Sequence, residues 1–329
     1  MNTILSDLEK LEKIANGKFL YAQGRGWFYW DGRRWSYDPE GFAIERFART
    51  VASSGDYSRI KSLVRLCSSH PNITCDMSGM DRNAWTFGVQ NGAIDLKTGE
   101  LIPYDCCDQI TKTSPVLYDP KASCPVFTRF LREIFDGHAE TMHYVIRLLG
   151  YCLTGDVREQ ILPVFIGDGA NGKSTLVDCV SSIMGDYSGR APEGMLAGGK
   201  KREYQLALAS LHGTRLVIAG EQKLKAKVVK SLIEDEVITG RFMRQDSFNY
   251  QRTQKIIIVA NSRPEVDDRS NPVWDKLKLV PFPVSIPPEK RDNRLLEKLE
   301  FESSGILNLL VRGCRDWLKG GLRRPKCLD

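Results

Sequence analysis

No apolar stretch of this chain approaches the length of a membrane span, which leaves no candidate transmembrane helix. The opening residues, Met1-Asn2-Thr3-Ile4-Leu5-Ser6-Asp7, have neither the basic nor the apolar region of a signal peptide, so a cytoplasmic location and no membrane partner are expected. C-x-x-C is absent among the nine cysteines, which excludes the usual zinc-ribbon and dithiol redox motifs. Cys106 and Cys107 are adjacent, which suits neither a tetrahedral metal site nor an ordinary disulfide. The odd count fits reduced thiols, several of them small core residues. His138 and His143 stand five apart, off one helical face, so no two-histidine metal site is expected. Low-complexity runs and internal repeats are missing too. What remains is a globular composition: hydrophobic residues make up 42% and charged residues 27% of 329, a length that allows two domains with a core each. The net charge of +6 permits nucleic-acid binding without requiring it.

Against that background one segment carries clear chemistry. Gly167-Asp168-Gly169-Ala170-Asn171-Gly172-Lys173-Ser174 fits the phosphate-loop pattern of glycine, four residues, glycine, lysine and serine. An apolar run at 161–166 precedes it, and a helix is predicted over 175–184. Glycines let backbone N–H groups curl around phosphate oxygens, and a helix N-terminus adds partial positive charge. Lys173 can reach the β- and γ-phosphates of a nucleoside triphosphate, and the Ser174 hydroxyl can ligate Mg²⁺. Gly167, Gly169, Ala170, Asn171, Gly172, Lys173, Ser174 and Thr175 are thus the candidate ATP-binding residues.

The rest of the chain divides around that loop. Residues 1–120 read as a small α+β domain, with a charged helix at 6–16 and another helix over 48–67. Trp27-Phe28-Tyr29-Trp30-Asp31-Gly32-Arg33-Arg34-Trp35 reads as two aromatic strands about an Asp-Gly turn. Such a ladder, with Arg33 and Arg34, could stack bases; a self-packed hairpin covering a sheet edge is the favoured reading. Residues 89–101 read as strand, turn and strand. Residues 121–158 form a helical connector, in which Phe127, Phe130, Leu131 and Ile134, then Val145, Leu148, Leu149 and Cys152, recur at helical spacing. Residues 159–304 alternate apolar strands (161–166, 215–219 and 255–260) with helices, the pattern of an α/β core with a parallel sheet. A last helix is predicted over 305–318, within a terminal segment 305–329.

Two further features suit hydrolysis. Leu216-Val217-Ile218-Ala219-Gly220-Glu221 is a buried strand ending in an acid, and ligands bind at the carboxyl ends of parallel strands. Glu221 is the candidate for polarising the attacking water, the alternative being a surface glutamate. Ile256-Ile257-Ile258-Val259-Ala260-Asn261 is a second such strand, ending in an amide that can sense a γ-phosphate or cap a turn.

On these residues the chain resembles a superfamily 3 helicase of the phage and plasmid primase–helicase type, kin to the poxvirus primase–helicases. The likeness extends to Asn91-Gly92-Ala93-Ile94-Asp95-Leu96-Lys97-Thr98-Gly99-Glu100-Leu101 and Leu148-Leu149-Gly150-Tyr151-Cys152-Leu153-Thr154-Gly155-Asp156 ahead of the loop. Within the core it includes Gly169-Ala170-Asn171-Gly172-Lys173-Ser174-Thr175, Lys230-Ser231-Leu232-Ile233 with Thr239-Gly240-Arg241-Phe242-Met243, Asn261-Ser262-Arg263-Pro264, and Val273-Trp274-Asp275-Lys276-Leu277-Lys278-Leu279-Val280-Pro281-Phe282. The resemblance implies an AAA+-like P-loop NTPase core and a homo-hexameric ring with ATP between subunits. It implies 3′-to-5′ movement on single-stranded or forked DNA, driven by hydrolysis, during replication of a phage, plasmid or other mobile element in a bacterial host cytoplasm. A primase or origin-binding protein on a separate chain is a further expected partner, because neither a primase domain nor a winged-helix-like tail is read here. Lys173 and Ser174 are expected to bind ATP and Mg²⁺, with Glu221 as catalytic acid and second residue toward the metal, and Asn261 as polar sensor. A DNA-contacting hairpin is expected between Glu221 and Asn261, with Lys223, Lys225, Lys227, Lys230, Arg241, Arg244 and Arg252 as its cations; the alternative is a solvated charged face.

Two departures stand out. Gly220, not an acid, precedes Glu221, so Mg²⁺ would depend largely on Ser174, phosphate oxygens and water. Lys276 occupies the best-matching position for the arginine finger, and lysine lacks the planar fork of guanidinium. Arg263 or Arg269 is the alternative finger. That substitution keeps two other readings open: a non-unwinding ATPase switch, and a DNA-binding replication initiator or loader.

Overall fold

The computed structural model describes residues 2–243, 245–268 and 272–328. The chain opens with α1 (Asn2–Ala15), a meander of β1 (Phe19–Ala22), β2 (Gly26–Trp30) and β3 (Trp35–Asp38), then α2 (Phe42–Val51), α3 (Tyr57–Cys67) and β4 (Thr74–Cys75). The sheet runs β3-β2-β1-β4, antiparallel except that β4 lies parallel to β1. Its tight turn forms because the Asp31 carboxylate accepts the N–H groups of Arg33 and Arg34 at 2.9 and 3.0 Å, with Gly32 at φ 94°. Trp27, Phe28 and Trp35 are buried, and Arg34 pairs with Asp186, so this hairpin packs on the protein. Residues 48–67 are not one helix. The chain breaks at 52–56, where Asp7 accepts hydrogen bonds from Ser53 and Asp56 caps α3 through the N–H of Arg59. Asp and Ser offer the backbone local partners outside a helix, and Gly55 disfavours continuing one, which is why the break falls there.

A three-stranded antiparallel sheet follows: β5 (Thr86–Val89), β6 (Gly92–Asp95) and β7 (Glu100–Ile102). Next come α4 (Pro125–Ile134) and α5 (Ala139–Cys152). Proline at the start of α4 needs no partner for a missing N–H, and the two following N–H groups donate to the Glu302 carboxylate at 2.9 Å each.

The remaining elements are β8 (Leu162–Ile166), α6 (Lys173–Met184), β9 (Ser188–Arg190), α7 (Lys201–Ser210), β10 (Leu216–Gly220), α8 (Ala226–Glu234), β11 (Val237–Arg241), β12 (Ser247–Gln251), β13 (Lys255–Ala260), α9 (Val273–Lys276), β14 (Leu277–Pro281), α10 (Leu295–Phe301) and α11 (Ser303–Gly320). Five strands form a parallel sheet in the order β14-β8-β13-β10-β9, while β11 and β12 make a separate hairpin. The architecture is therefore mixed α/β, with a five-stranded parallel sheet and a smaller N-terminal part. Three of the sheet's strands were expected from apolar runs. The two edge strands lacked that signal: β9 is three residues with a central glycine, and β14 carries a lysine and ends in proline.

The central strands are apolar, save for Lys255 at the start of β13, because both faces are covered. Phe165, Leu216, Ile218 and Ile257 share a core with α4, α5, α6 and α11, whereas Val164, Val217, Ile256 and Ile258 pack with α7 and α8. The alternation follows from the two-residue period of a strand. Helices α5 and α11 cross so closely that a Cβ on Gly150 would lie 2.3 Å from the Cys314 nitrogen. No helix among the described residues is long and apolar enough to cross a membrane.

Candidate functional site

The segment from Gly167 to Gly172 leaves the carboxyl end of β8 and enters α6. Gly167, Gly169 and Gly172 have φ of 159°, 76° and 83°, and Ala170 joins them at 47°. Three glycines thus supply a left-handed path that other residues rarely take, and the fourth position carries strain. Gly172 caps α6 without a side chain, so the N–H groups of Lys173, Ser174 and Thr175 have no intrahelical acceptor. Glycine is also required there for space: a Cβ would stand 2.5 Å from Ile134 and 3.0 Å from Phe130, both on α4.

Lys173 is folded into this loop. Its ammonium donates to the carbonyl of Gly167 and to Asn171 Oδ1, the latter at 3.0 Å. Burial lowers its pKa, opposed by the carboxylates of Asp168 and Glu221. Asn171 is buried with its Nδ2 unpartnered, a donor held inside the cradle. Ser174 is exposed and Thr175 half-exposed on the first turn of α6. Beside the loop lies a cavity of about 570 Å³, walled by Phe130, Arg129, Thr175, Ile286, Arg291 and Leu295 among others.

Glu221 and Asn261 arrive from adjacent strands. β10 and β13 pair from Leu216 with Lys255 through Gly220 with Val259, which brings their carboxyl ends level. One Glu221 oxygen accepts the Asn261 backbone N–H at 2.9 Å, and the other accepts the Ser262 hydroxyl at 2.7 Å. These two bonds, the backbone one first, hold the Glu221 carboxyl below its ordinary value, and Lys173 contributes to the same effect. Because β13 lies between β8 and β10, Asn261 stands between the glycine-rich loop and Glu221 along one edge of the sheet. Ser262 was not a sequence candidate, although it belongs to the same Asn-Ser-Arg-Pro run; its role depends on strand register.

Other candidates sit apart. Lys276 precedes β14, at the opposite end of the sheet from the loop, where it donates to Gln160 at 3.3 Å and lies 3.8 Å from the Glu234 carboxylate. Arg263 follows β13 on the loop's side, with its guanidinium 5.1 Å from the Trp274 ring centre. Arg269 and Arg244 lie outside the described residues. The expected hairpin is present as β11 and β12, and Arg241 is on it, bonded to the Gln245 carbonyl. The lysines are elsewhere: Lys223, Lys225, Lys227 and Lys230 lie on α8 and the turn ahead of it, with Lys223 and Lys230 near Glu265 and Glu234. Arg252 is buried and donates to the Asp235 carbonyl, so it is no surface cation.

Taken together, fold and site define a mixed α/β protein whose parallel sheet gathers a glycine-rich loop, a lysine, a glutamate and an asparagine at one edge. Residues 9–136 match the family model described as D5 N terminal like, and residues 165–272 match a family of unknown function, DUF5906. A protein of Acanthamoeba polyphaga mimivirus named "Putative helicase" is 24% identical over 277 residues, covering 76% of this chain and 29% of that protein. Another of that name, from Invertebrate iridescent virus 6, is 23% identical over 249 residues, covering 68% of this chain and 25% of its own length. A protein of African swine fever virus named "Putative primase" is 21% identical over 211 residues, 60% of this chain and 22% of the relative. These matches make the chain similar to the D5-like primase–helicases of these viruses, and it spans less than a third of the length of the curated relatives it matches. In fold it is similar to the apo structure of the NrS-1 C-terminal region, with a TM-score of 0.62 at 14% identity, over 93% of this chain and 70% of that one.

Proposed function

We propose that this chain is the ATP-hydrolysing motor of a superfamily 3 DNA helicase, with an AAA+-like P-loop NTPase core. The reading rests on one observation. The strand order β14-β8-β13-β10-β9 brings the Gly167–Gly172 loop, Asn261 and Glu221 to neighbouring carboxyl ends, with Glu221 already held ionised by Asn261 and Ser262. An open parallel sheet binds its ligand at that edge.

The donors present fit a triphosphate. The free N–H groups of the α6 first turn, the unpartnered Asn171 amide and the Lys173 ammonium all face one cradle. Lys173 exchanges its loop carbonyl for phosphate oxygens, a favourable trade because a cation desolvated by burial gains from an anion. The neighbouring cavity of about 570 Å³ is large enough for the nucleoside. Glu221, hydrogen-bonded on both oxygens, is oriented to position a water and withdraw its proton. Ser174 and Glu221 are the residues that would hold Mg²⁺, which when bound neutralises charge on the phosphates. Asn261 reports the γ-phosphate, and the β11–β12 hairpin with Arg241 touches DNA. A homo-hexameric ring, with a basic finger supplied between subunits by Lys276, Arg263 or Arg269, completes each site.

The test is ATP hydrolysis by the parent and by Lys173→Ala, with and without single-stranded DNA. DNA-stimulated turnover lost in the variant supports the motor. Turnover that survives the substitution sinks it. The engagement of Lys276 by Glu234 and Gln160 favours a second reading, a non-unwinding switch or a replication initiator or loader. Strand displacement on a forked duplex separates the two.

A further inference from the structure

Between the N-terminal sheet and the turn after β11 lies a cavity of about 540 Å³ that the phosphate-loop site does not use. Its walls combine aromatic side chains (Phe28, Trp35, Tyr37, Phe242) with cations (Arg25, Arg34, Lys112). Arg34 is matched by Asp186. Arg25 is not: among the described residues its guanidinium meets no carboxylate and donates no hydrogen bond. Instead its central carbon lies over two rings, 3.9 Å from the centre of Tyr37 and 4.0 Å from that of Phe242. The stack continues, since Phe242 lies on Phe248 at 5.0 Å and 11°, and Phe248 on Tyr250 at 5.7 Å. Tyr37 is fixed from behind by its hydroxyl, which donates to the Arg25 carbonyl at 3.0 Å.

A slot in which a planar guanidinium meets two aromatic faces is suited to another planar group. Guanidinium and nucleobase are both flat and both stack, but a base offers far more π surface. A half-buried cation without an anionic partner is moreover poised to receive one. We propose that this slot binds one nucleotide of single-stranded DNA. The base enters between Tyr37 and Phe242, and the displaced Arg25, together with Lys112, turns to the flanking phosphate. Recognition is by stacking and charge, so it tolerates any sequence. The proposal rests on the reading that this chain acts on single-stranded DNA, and it adds the N-terminal sheet to the strand's path.

The test measures affinity for oligodeoxythymidylate by fluorescence anisotropy, without ATP, across a salt series. Tyr37→Leu and Phe242→Leu keep apolar volume but remove the stacking face. Each is expected to weaken binding by about 5- to 100-fold with the salt slope unchanged. Arg25→Gln is expected to lower that slope by about one, as loss of a phosphate contact does. Oligonucleotides carrying 5-iododeoxyuridine should photo-cross-link to Tyr37 or Phe242, a readout that a packing role would not produce. Phe42→Leu, at an aromatic ring outside the cavity, serves as the control and binds like the parent. Matched thermal melting of all variants establishes that they fold. Both leucine variants binding like the parent, or cross-links confined to other residues, would overturn the proposal. Because no ATP is present, the binding readout does not depend on hydrolysis. Failure of the motor reading therefore shows in hydrolysis, and failure of the slot in binding.

Discussion

At the residue scale, Glu221 is the group whose environment says most about its chemistry. Its two oxygens are occupied by a backbone N–H and a hydroxyl, and both interactions favour the ionised form. A general base needs its proton-accepting form in place before substrate arrives, and a fixed orientation. Glu221→Gln keeps the shape and the capacity to accept from Asn261 but cannot take a proton. Turnover is expected to fall by about 10²–10⁴-fold, with ATP affinity nearly unchanged, in paired measurements of hydrolysis and of nucleotide binding. Ser262→Ala removes one orienting bond and should lower turnover by about 5- to 10-fold without altering binding. An equal loss of ATP affinity in either variant would place the residue in binding instead. Lys173 and its glycines were legible in sequence because their chemistry is local: spacing alone fixes which N–H groups converge. Glu221 was legible as an acid ending an apolar strand. Ser262 was not, since the hydroxyl reaches Glu221 only through the pairing of β10 with β13, a contact across 41 positions of chain.

At the element scale, helix packing constrains the connector more tightly than its apolar stripe suggests. Leu148 and Leu149 were readable as core, but the deciding residues are small. A Cβ on Gly150 would meet the Cys314 nitrogen at 2.3 Å and the Leu310 carbonyl at 2.5 Å, and one on Gly313 would meet the Ile146 carbonyl at 2.4 Å. These obstacles are backbone atoms of the facing helix, so no rotamer change relieves them. Gly150→Ala must separate α5 from α11, at a cost of about 3 kcal/mol. Gly199→Ala, whose added Cβ meets nothing closer than 3.9 Å, is the matched control. Denaturant midpoints should drop for the first and hold for the second; equal midpoints would show that the helices part without penalty. The same scale explains what the sequence concealed about elements. The broken helix at 52–56 and the edge strands β9 and β14 depend on partners distant in sequence, Asp7 and the central strands among them, while the expected hairpin carries Arg241 and the lysines of the same stretch lie on α8 and the turn ahead of it.

At the scale of the molecule, two buried cations tie the N-terminal part and the connector to the parallel sheet. Arg215, at the entry to β10, donates to the carbonyls of Leu153, Asn83 and Thr86 at 2.6, 3.0 and 2.8 Å. Lys255, at the start of β13, donates to the carbonyls of Thr154 and Thr253. Carbonyls from both preceding segments thus converge on the base of the sheet, away from the glycine-rich loop. Among the described residues neither cation forms an ion pair, although the Asp81 carboxylate acts on Arg215 and that of Asp156 on Lys255 from farther off. Burial lowers the Lys255 pKa to about 7, the carbonyl-rich surroundings notwithstanding. In the unfolded chain the same amine titrates near its ordinary value of about 10.4. Between these two values the unfolded state binds more protons than the folded state, so this site makes stability rise with pH; below about 7 both states are charged and the burial penalty is constant. The slope is at most about 1.4 kcal/mol per pH unit. Lys255→Met removes the titration while filling the volume, so the parent should gain on the variant as pH is raised from about 7 to 9. Denaturant melts of both proteins at each pH read that difference directly. A gap that stays constant across the range would mean that Lys255 keeps its proton in the folded protein, and that the carbonyls of Thr154 and Thr253 hold an ammonium ion.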